Sequence, residues 1–223
     1  MSKDDIEYHA QAAGASSNMA VNGFPELHVD PPFVIPADTA AAFSGTACDF
    51  ASRLICMALE EDGPDLTSLG IFPPEEEAKA YIVAKERTLV VGLPLISLVL
   101  SITGMPPDAW NAEVKEGSLV EKGTVVAHLH GRTIQLLKAE RVILNLMTHL
   151  SGVANLTRAY ADRLEGTGVR LLDTRKTLPG HRYLEKYAVR IDPERSSCAG
   201  IRFRVQDLDM LRVFVSGSEL PWR

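Results

Sequence analysis

The chain has 223 residues, 46% of them apolar, which is enough to bury a core in one large domain or two small ones. Its formal net charge of −6 argues against general binding to nucleic acid or to acidic membranes. The three cysteines have no paired spacing, and the acidic start does not resemble a signal peptide. The sequence also has no apolar run of about 20 residues, so we predict a soluble cytoplasmic protein.

The first segment that we expect to fold begins near residue 46. Residues 1–45 are rich in Ala, Ser, Gly, Asn and Pro, so they predict a flexible leader that carries no chemistry. After Asp49, apolar residues recur at the spacing of a helix that ends in a charged turn at 60–65. These apolar residues are Phe50, Leu54, Met57 and Ala58.

Residues 46–138 predict an α+β domain with short strands and tight turns. Residues 78–91 alternate like a strand, and Pro94 suits the first turn of the helix that follows. Glycine turns then separate two more short strands, at 119–120 and 125–129.

Biotinyl and lipoyl carrier domains share part of this pattern and provide an alternative of another class. A carrier presents its modified lysine at the tip of a hairpin, usually beside Met or an acidic residue. Lys122 instead lies within the turn itself, and the sequence has no such tip. The carrier interpretation is therefore the weaker one.

Ala139 to Leu164 is the strongest candidate for a helix. An apolar stripe recurs at three- and four-residue spacing, and Gly152 is expected to interrupt the helix or to mark close packing. The stripe consists of Ile143, Leu146, Met147, Leu150 and Val153. A polar row lies on another face, and such rows usually face solvent; it consists of Arg141, Asn145, Thr148 and Gly152.

A predicted strand at 169–172 leads into the sequence DTRKTLPGHRYLEKYAVR, from Asp173 to Arg190. A strand, a constrained turn and a helix present charged groups at the carboxyl end of a sheet in α/β folds. Arg175 can hold a carboxylate or phosphate with two hydrogen bonds, and Lys176 adds a point charge beside it. A solvated loop is the simpler alternative, but Pro179 and Gly180 constrain the turn more than such a loop needs. The cluster predicts a pocket for a small, multiply anionic substrate.

The same segment resembles the signature of the quinolinate phosphoribosyltransferases, also called carboxylating nicotinate-nucleotide pyrophosphorylases. DTRKTLPG and LEKYAVR carry the resemblance, which extends upstream through AERVILNLMTHLSGVANLTRAYADRLEGTGVRLLDTRKT and EVKEGSLVEKGTVVAHLHG to ALEEDGPDLTS. It covers about residues 50 to 190. It implies the α/β class, with the α+β domain at 46–138 followed by the start of an α/β barrel at 139–190.

The resemblance implies an enzyme of NAD biosynthesis. Such an enzyme transfers a phosphoribosyl group from phosphoribosyl pyrophosphate to quinolinate, with decarboxylation, and gives nicotinate mononucleotide. It also implies a Mg²⁺ cofactor and a homodimer in which Arg141 reaches the neighbouring subunit's pocket. Arg141, Arg175 and Arg202 are available for the two carboxylates of quinolinate, while Lys176 is placed for the pyrophosphate or the ribose 5-phosphate. His181 is a candidate general base, although a histidine at a helix start more often caps the helix or lies at the surface, and we assign no catalytic residue.

After residue 190 the sequence departs from the family pattern. Arg202 falls on the arginine of the family's Asn-His-Arg segment, but Ile201 replaces the histidine, and Arg212 falls on the lysine of a Leu-Ile-Lys run. The family's magnesium carboxylates have no counterpart, so we assign no metal ligand. Residues 191–223 are expected to be a divergent, poorly packed tail, and this truncated chain is expected to be impaired as an enzyme. Two alternatives remain. One is a related pyrophosphorylase-like protein associated with molybdenum transport, and the other is a non-enzymatic remnant of the family.

Overall fold

The structure, a computed structural model, describes residues 35–169 and 171–191, and the backbone of two short strands farther on. The helices are α1 (Ala37–Ala42), α2 (Gly45–Glu61), α3 (Leu66–Ile71), α4 (Leu93–Ile102), α5 (Thr133–Leu164) and α6 (Arg182–Arg190). The strands are β1 (Glu77–Val83), β2 (Thr88–Leu89), β3 (Trp110–Ala112), β4 (Leu119–Val120), β5 (Val125–Arg132), β6 (Phe214–Val215) and β7 (Ser218–Glu219).

An antiparallel sheet of three strands, in the order β1-β5-β3, forms one layer. Leu129 of β5 lies opposite Ala80 of β1 and Trp110 of β3. Successive side chains of a strand point to opposite faces, and here Ala127 and Leu129 are buried while His128 is exposed. This alternation orients one face of the sheet toward the core and leaves the other face polar, as is usual in antiparallel sheets. The short pair β2 and β4 forms a separate antiparallel ladder.

Helix α4 lies at the centre of the core. Its residues are apolar nearly all round, and Leu95, Ile96, Leu98, Val99 and Leu100 are each at most 2% exposed. A helix that is apolar on all sides must be enclosed by other elements. The helices α1, α2 and α5 pack against it, and α5 also packs against the sheet strands β1 and β5.

Helix α5 confirms the predicted long helix, which is continuous through Gly152. A β-carbon added at that glycine would contact nothing within 4 Å, so the glycine neither interrupts the helix nor marks close packing. The predicted apolar stripe is buried at Ile143, Leu146, Met147 and Leu150. Among these described residues, no helix is both long and apolar enough to cross a membrane.

The expected flexible leader does not extend to residue 45. Residues 37–42 form α1, whose Thr39 is fully buried and donates its Oγ1 hydrogen to the Pro94 carbonyl oxygen at 2.7 Å. Phe43 follows the helix and packs its ring 4.6 Å from that of Tyr187. The prediction failed here because this short segment is stabilised by tertiary contacts that its composition does not encode. The rest of the expected leader, residues 1–34, lies outside the described residues.

Helix α2 spans the predicted segment, and Leu54 and Ala58 of the predicted apolar row face the core, but the other two residues do not. Phe50 is 41% exposed and Met57 is 50% exposed, although both belonged to the predicted apolar row. The helix instead packs through a stripe that includes small residues, which allow close approach to α4. The buried stripe consists of Ala47, Cys48, Ala51, Ser52, Leu54, Ile55, Cys56 and Leu59.

The strand predicted at 169–172 is absent from the residues described there, 169 and 171–172. A parallel strand is stabilised by hydrogen bonds to neighbouring strands, and no described strand lies beside this segment. Residues 192–213, within the expected divergent tail, lie outside the described residues, and only the backbone pair of β6 with β7 is described beyond them.

The amino end of α4 is capped by a carboxylate from another part of the chain. Glu116 Oε1 accepts the Gly92 N–H at 2.8 Å, and its Oε2 accepts the Leu93 N–H at 2.9 Å. Tyr187 of α6 donates its hydroxyl hydrogen to Oε1 at 3.0 Å. Burial raises the pKa of Glu116, against the opposing effect of these three hydrogen bonds. Burial and the neighbouring Glu116 also raise the pKa of Tyr187.

Gly92 should be intolerant of a side chain, whereas Gly152 should not. The φ of Gly92 is +111°, and a β-carbon there would lie 3.3 Å from Met147 Cγ. We expect Gly92→Ala to lower the free energy of unfolding by about 2–3 kcal/mol, from backbone strain and overpacking. Gly152→Ala, in the exposed interior of α5, should raise it by about 0.5–1 kcal/mol. Urea denaturation of both variants measures these changes, and equal effects would contradict the assignment.

The raised pKa of Glu116 predicts how stability depends on pH. The folded protein binds this proton more tightly than the unfolded chain, whose glutamate keeps its ordinary pKa of 4.5. The contribution of Glu116 to stability is therefore fully present below that value, and it is lost as pH rises through the raised pKa. Glu116→Gln removes the titration.

We expect the unfolding free energy of wild type minus that of Glu116→Gln to be largest in acid and to decline as pH rises through this window. Urea titrations from about pH 4 to about pH 7 measure the difference. A difference that grows with pH over the same range would mean that the hydrogen bonds outweigh burial at this carboxylate.

Candidate active site

Two of the predicted anion-binding residues, Arg175 and Lys176, lie in the connection between α5 and α6. We call residues 173–178, with sequence DTRKTL, the basic loop. Helix α6 begins just after it and packs on α2 and α5 through the buried residues Leu184 and Ala188, each 1% exposed. Because α6 is fixed against the core, it provides a rigid support directly beside the basic loop.

A buried ion pair holds the first residue of the basic loop. Lys186 Nζ lies 2.5 Å from Asp173 Oδ2, and the two side chains are only 15% and 8% exposed. The same ammonium group donates to the Thr174 carbonyl oxygen at 3.5 Å. Charges removed from water to this degree are tolerated only when each is paired. Separation of the two groups would therefore be costly, so the start of the loop is firmly placed.

A second contact holds the end of the basic loop. Glu185 Oε1 accepts the Leu178 N–H at 3.2 Å and lies 3.1 Å from His149 Nε2, which comes from α5. The His149 ring also contacts the His181 ring edge-on, with centroids 5.5 Å apart. Glu185 therefore links the loop, α5 and α6 through a single carboxylate that is 14% exposed.

Between these two contacts, the loop presents its cations to solvent. Arg175 and Lys176, which the sequence predicts to form an anion pocket after a strand, are both exposed. Thr174 Oγ1 accepts the Lys176 N–H at 3.0 Å, which tightens the turn at this point. An exposed guanidinium can bind an anion without first losing a buried partner, so the geometry suits the predicted role of Arg175.

Arg141 lies elsewhere on the chain. Its Nη1 is 2.6 Å from Oδ1 of Asp62, the residue directly after α2, and the arginine side chain is 70% exposed. Arg141 and His149 are eight residues apart on α5, or about 12 Å along the helix axis. In the described residues Arg141 contacts neither the basic loop nor α6 through a hydrogen bond or an ion pair. Arg202 and Arg212, the other predicted substrate-binding residues, lie outside the described residues.

His181 is the residue before α6, but it does not cap the helix with its side chain. Its Nδ1 lies 3.1 Å from the Pro179 carbonyl oxygen, and the residue is half-buried. His181 therefore occupies the N-cap position in an exposed contact, as expected of a surface histidine, although its side chain does not cap the helix. A ring nitrogen directed at a backbone carbonyl gives no indication of a general base.

Two cavities lie near α5. The smaller, of about 140 Å³, lies between α5, α6 and the loop, and its walls include Leu172, Asp173 and Glu185. The larger is a mainly apolar groove of about 600 Å³ between α5 and the β1–β5 face, and its walls include none of the described site residues Arg141, Arg175 and Lys176. The groove is thus separate from the cationic site.

The described residues do not fit a Mg²⁺ site of their own. In 35–169 and 171–191, no three His, Cys, Asp or Glu side chains come close enough to share a metal ion. Asp173, in the basic loop, contacts Lys186, and Glu185 of α6 contacts His149. The Mg²⁺ requirement stays a prediction, and no chemical step is assigned to the metal.

No sequence pattern singles out His149 or Glu185 as functional residues. Glu185 lies within the motif LEKYAVR, but its role depends on an N–H seven residues earlier in the chain. His149 lies next to the buried stripe of α5, so periodicity indicates that it borders the core. Its contact with Glu185 joins two helices and could not be read from spacing alone.

Two models of one protein family match the sequence of this chain. The family model described as "Quinolinate phosphoribosyl transferase, N-terminal domain" matches residues 65–151. The model described as "Quinolinate phosphoribosyl transferase, C-terminal domain" matches residues 153–213. The second match extends past residue 190, where the resemblance read from the sequence ended.

Curated relatives carry matching names. A probable nicotinate-nucleotide pyrophosphorylase [carboxylating] of Bacillus subtilis (strain 168) is 43% identical over 133 residues, covering 59% of this chain and 45% of the relative. The nicotinate-nucleotide pyrophosphorylase [carboxylating] of Mycobacterium leprae (strain TN) is 36% identical over 150 residues, covering 65% of this chain and 53% of the relative. The chain thus spans about half the length of these relatives.

Solved structures agree with the sequence relatives. NadC from Streptococcus pyogenes superposes with a TM-score of 0.60 at 30% identity, over 74% of this chain and 56% of that protein. A nicotinate-nucleotide pyrophosphorylase from Ehrlichia chaffeensis gives a TM-score of 0.59 at 32% identity, over 71% and 56% of the two chains. These neighbours confirm the predicted α/β fold class. With both domain models matched in order, the chain belongs to the quinolinate phosphoribosyltransferase family.

Proposed function

We propose that this protein takes part in NAD biosynthesis as a carboxylating nicotinate-nucleotide pyrophosphorylase. It would join quinolinate to the phosphoribosyl group of phosphoribosyl pyrophosphate and release carbon dioxide and pyrophosphate. The observation that carries the proposal is the basic loop, which presents Arg175 and Lys176 to solvent within a segment that the family model matches. The names of the relatives favour this reaction over the molybdenum-associated alternative and over a carrier domain.

The chemistry of the substrates matches the two cations of the loop. Quinolinate carries two carboxylates, and the planar guanidinium of Arg175 can bind one of them through two parallel hydrogen bonds. An ammonium group such as that of Lys176 is a compact charge suited to a phosphate. The two residues are adjacent, so one loop could contact both substrates at the point where they react.

Bond formation at the ribose requires loss of pyrophosphate and passes through a cationic, oxocarbenium-like ribose. Fixed cations near the departing pyrophosphate stabilise the charge that develops on it. Decarboxylation then follows from the electron-poor pyridinium ring, without a dedicated base. This agrees with our assignment of no catalytic general base. A cytoplasmic location stays a prediction from the sequence.

Purified protein should bind quinolinate and form nicotinate mononucleotide from quinolinate and phosphoribosyl pyrophosphate. Because Ile201 replaces the family's histidine, we expect turnover to be reduced even where binding is retained. Calorimetry measures the binding and separation of the nucleotide product measures turnover. If neither binding nor product is observed, the proposed function is wrong for this protein.

Arg175 should contribute more to quinolinate binding than its charge alone explains. Loss of one partner of a desolvated carboxylate pair costs about 2–5 kcal/mol of binding free energy. We expect this loss for Arg175→Ala and nearly the same loss for Arg175→Lys, because an ammonium cannot form the paired hydrogen bonds. Arg163→Ala, at an exposed arginine in the last turn of α5, is the matched control and should bind normally. Wild-type affinity in Arg175→Lys would show that the arginine acts only as a diffuse charge.

We also propose that the protein is a homodimer in which Arg141 completes the partner's site. Its exposure at 70% and its separation from the basic loop within one chain support this role. Mixed dimers of Arg141→Ala and Arg175→Ala subunits should then recover about a quarter of the quinolinate sites, since each heterodimer carries one unaltered site. Calorimetry on refolded mixtures counts the sites. Recovery of none would place Arg141 outside the site.

A further inference from the structure

We propose that Glu185 and Lys186, adjacent on α6, are positioning residues that hold the two ends of the basic loop, with His149 supporting Glu185. The consequence for substrate binding rests on the proposed function. The contacts themselves are independent of it. Glu185 and Lys186 of the motif LEKYAVR would then hold in place the DTRKT segment, which lies only a few residues earlier.

The first end of the loop is held by charge. Lys186 Nζ contacts both Asp173 Oδ2, at 2.5 Å, and the Thr174 carbonyl oxygen, at 3.5 Å. Contacts to two successive residues fix the direction of the backbone as well as its position. The low exposure of the pair, 15% for Lys186 and 8% for Asp173, strengthens the attraction because water screens it little.

The second end of the loop is held by a backbone hydrogen bond. The Leu178 N–H donates to Glu185 Oε1 at 3.2 Å, and His149 Nε2 lies 3.1 Å from the same oxygen. His149 belongs to α5 and Glu185 to α6, so the acceptor is fixed by two helices rather than one. A carboxylate oxygen supported in this way has little freedom to swing away from the loop.

Helix α6 is itself anchored to the core, so it can act as the fixed reference for both contacts. Leu184 and Ala188 are buried, and Tyr187 donates to Glu116 at the cap of α4. Between the two held ends lie Arg175 and Lys176. A loop ordered before the substrate arrives loses less entropy on binding, and affinity rises accordingly. Loss of either contact should therefore weaken binding without removing any group that touches the substrate.

Hydrogen exchange of the full chain tests the two contacts directly. The Lys176 and Leu178 amides are the reporters, because each donates within or beside the loop, to Thr174 Oγ1 and to Glu185 respectively. We expect Glu185→Ala to speed exchange at Leu178, and Lys186→Met to speed exchange at Lys176, by about tenfold. Amides of β1 and β5 should keep their wild-type rates.

Matched variants separate positioning from general damage. Lys138→Met removes the same charge from an exposed site on α5 and should leave both reporters unchanged. If Lys186→Met fails to fold because Asp173 is left unpaired, the double variant Asp173→Asn with Lys186→Met removes both charges. It should fold and still show the faster exchange at Lys176. At His149, the change to Gln retains a donor and should preserve protection at Leu178, whereas the change to Phe should not.

Quinolinate calorimetry on the same variants gives the functional result. Variants that loosen the loop but remain folded at the assay temperature should bind quinolinate about tenfold more weakly. Wild-type exchange rates at both reporters in Glu185→Ala and in the double variant would overturn the proposal. Faster exchange with unchanged quinolinate affinity would also overturn it as a positioning device. If wild type binds no quinolinate, the proposed function fails, and the exchange rates still decide whether the two residues hold the loop.

Discussion

The carboxylate of Glu116 joins three parts of the fold that are far apart in sequence. It accepts the first N–H groups of α4, which have no partner within the helix, and it receives the hydroxyl of Tyr187 from α6. Without an acceptor, those N–H groups would be left unsatisfied beside the most deeply buried helix, which costs free energy directly. The same contact adds to the packing of Leu184 and Ala188 in holding α6, and α6 carries Glu185 and Lys186 at the basic loop. The placement of the loop therefore depends, through one helix, on how the core helix is capped.

This dependence explains why α4 can be almost entirely apolar. Side chains that pack on all sides leave no place for a polar residue of its own at the amino end, and Gly92 provides no side chain to cap the helix. The positive φ of Gly92 turns the chain into the helix where Met147 of α5 approaches closely. The acceptor must then come from elsewhere, and the turn before β4 supplies it. The raised pKa of Glu116 is the electrostatic cost of placing a carboxylate in this enclosed position.

Much of the fold could be predicted from periodicity. The predictions failed where the outcome depends on contacts between separate segments of the chain. Apolar spacing and turn residues predict a long helix at 139–164, a helix after Pro94 and a strand at 125–129. The structure has these elements at 133–164, 93–102 and 125–132. The exposure of Phe50 and Met57 could not be predicted from periodicity, because small residues of α2 form the contact with the core. The cap at Glu116 could not be predicted from periodicity either, because Glu116 lies 24 residues from Gly92 in the sequence. Arg175 and Lys176 could be predicted because a local motif carries them, whereas His149 became visible only once two helices were packed together.

The distribution of charge around the basic loop bears on its chemistry. Two acidic side chains hold the ends of the loop: Asp173 pairs with Lys186, and Glu185 accepts from the Leu178 N–H and contacts His149. A buried pair of opposite charges has little net field at a distance, so it does not cancel the field of the exposed cations beside it. In a chain with a formal net charge of −6, the exposed side chains of Arg175 and Lys176 place two positive charges next to each other on this loop. Asp173 and Glu185 thus hold the two ends of the loop while Arg175 and Lys176 stay exposed between them.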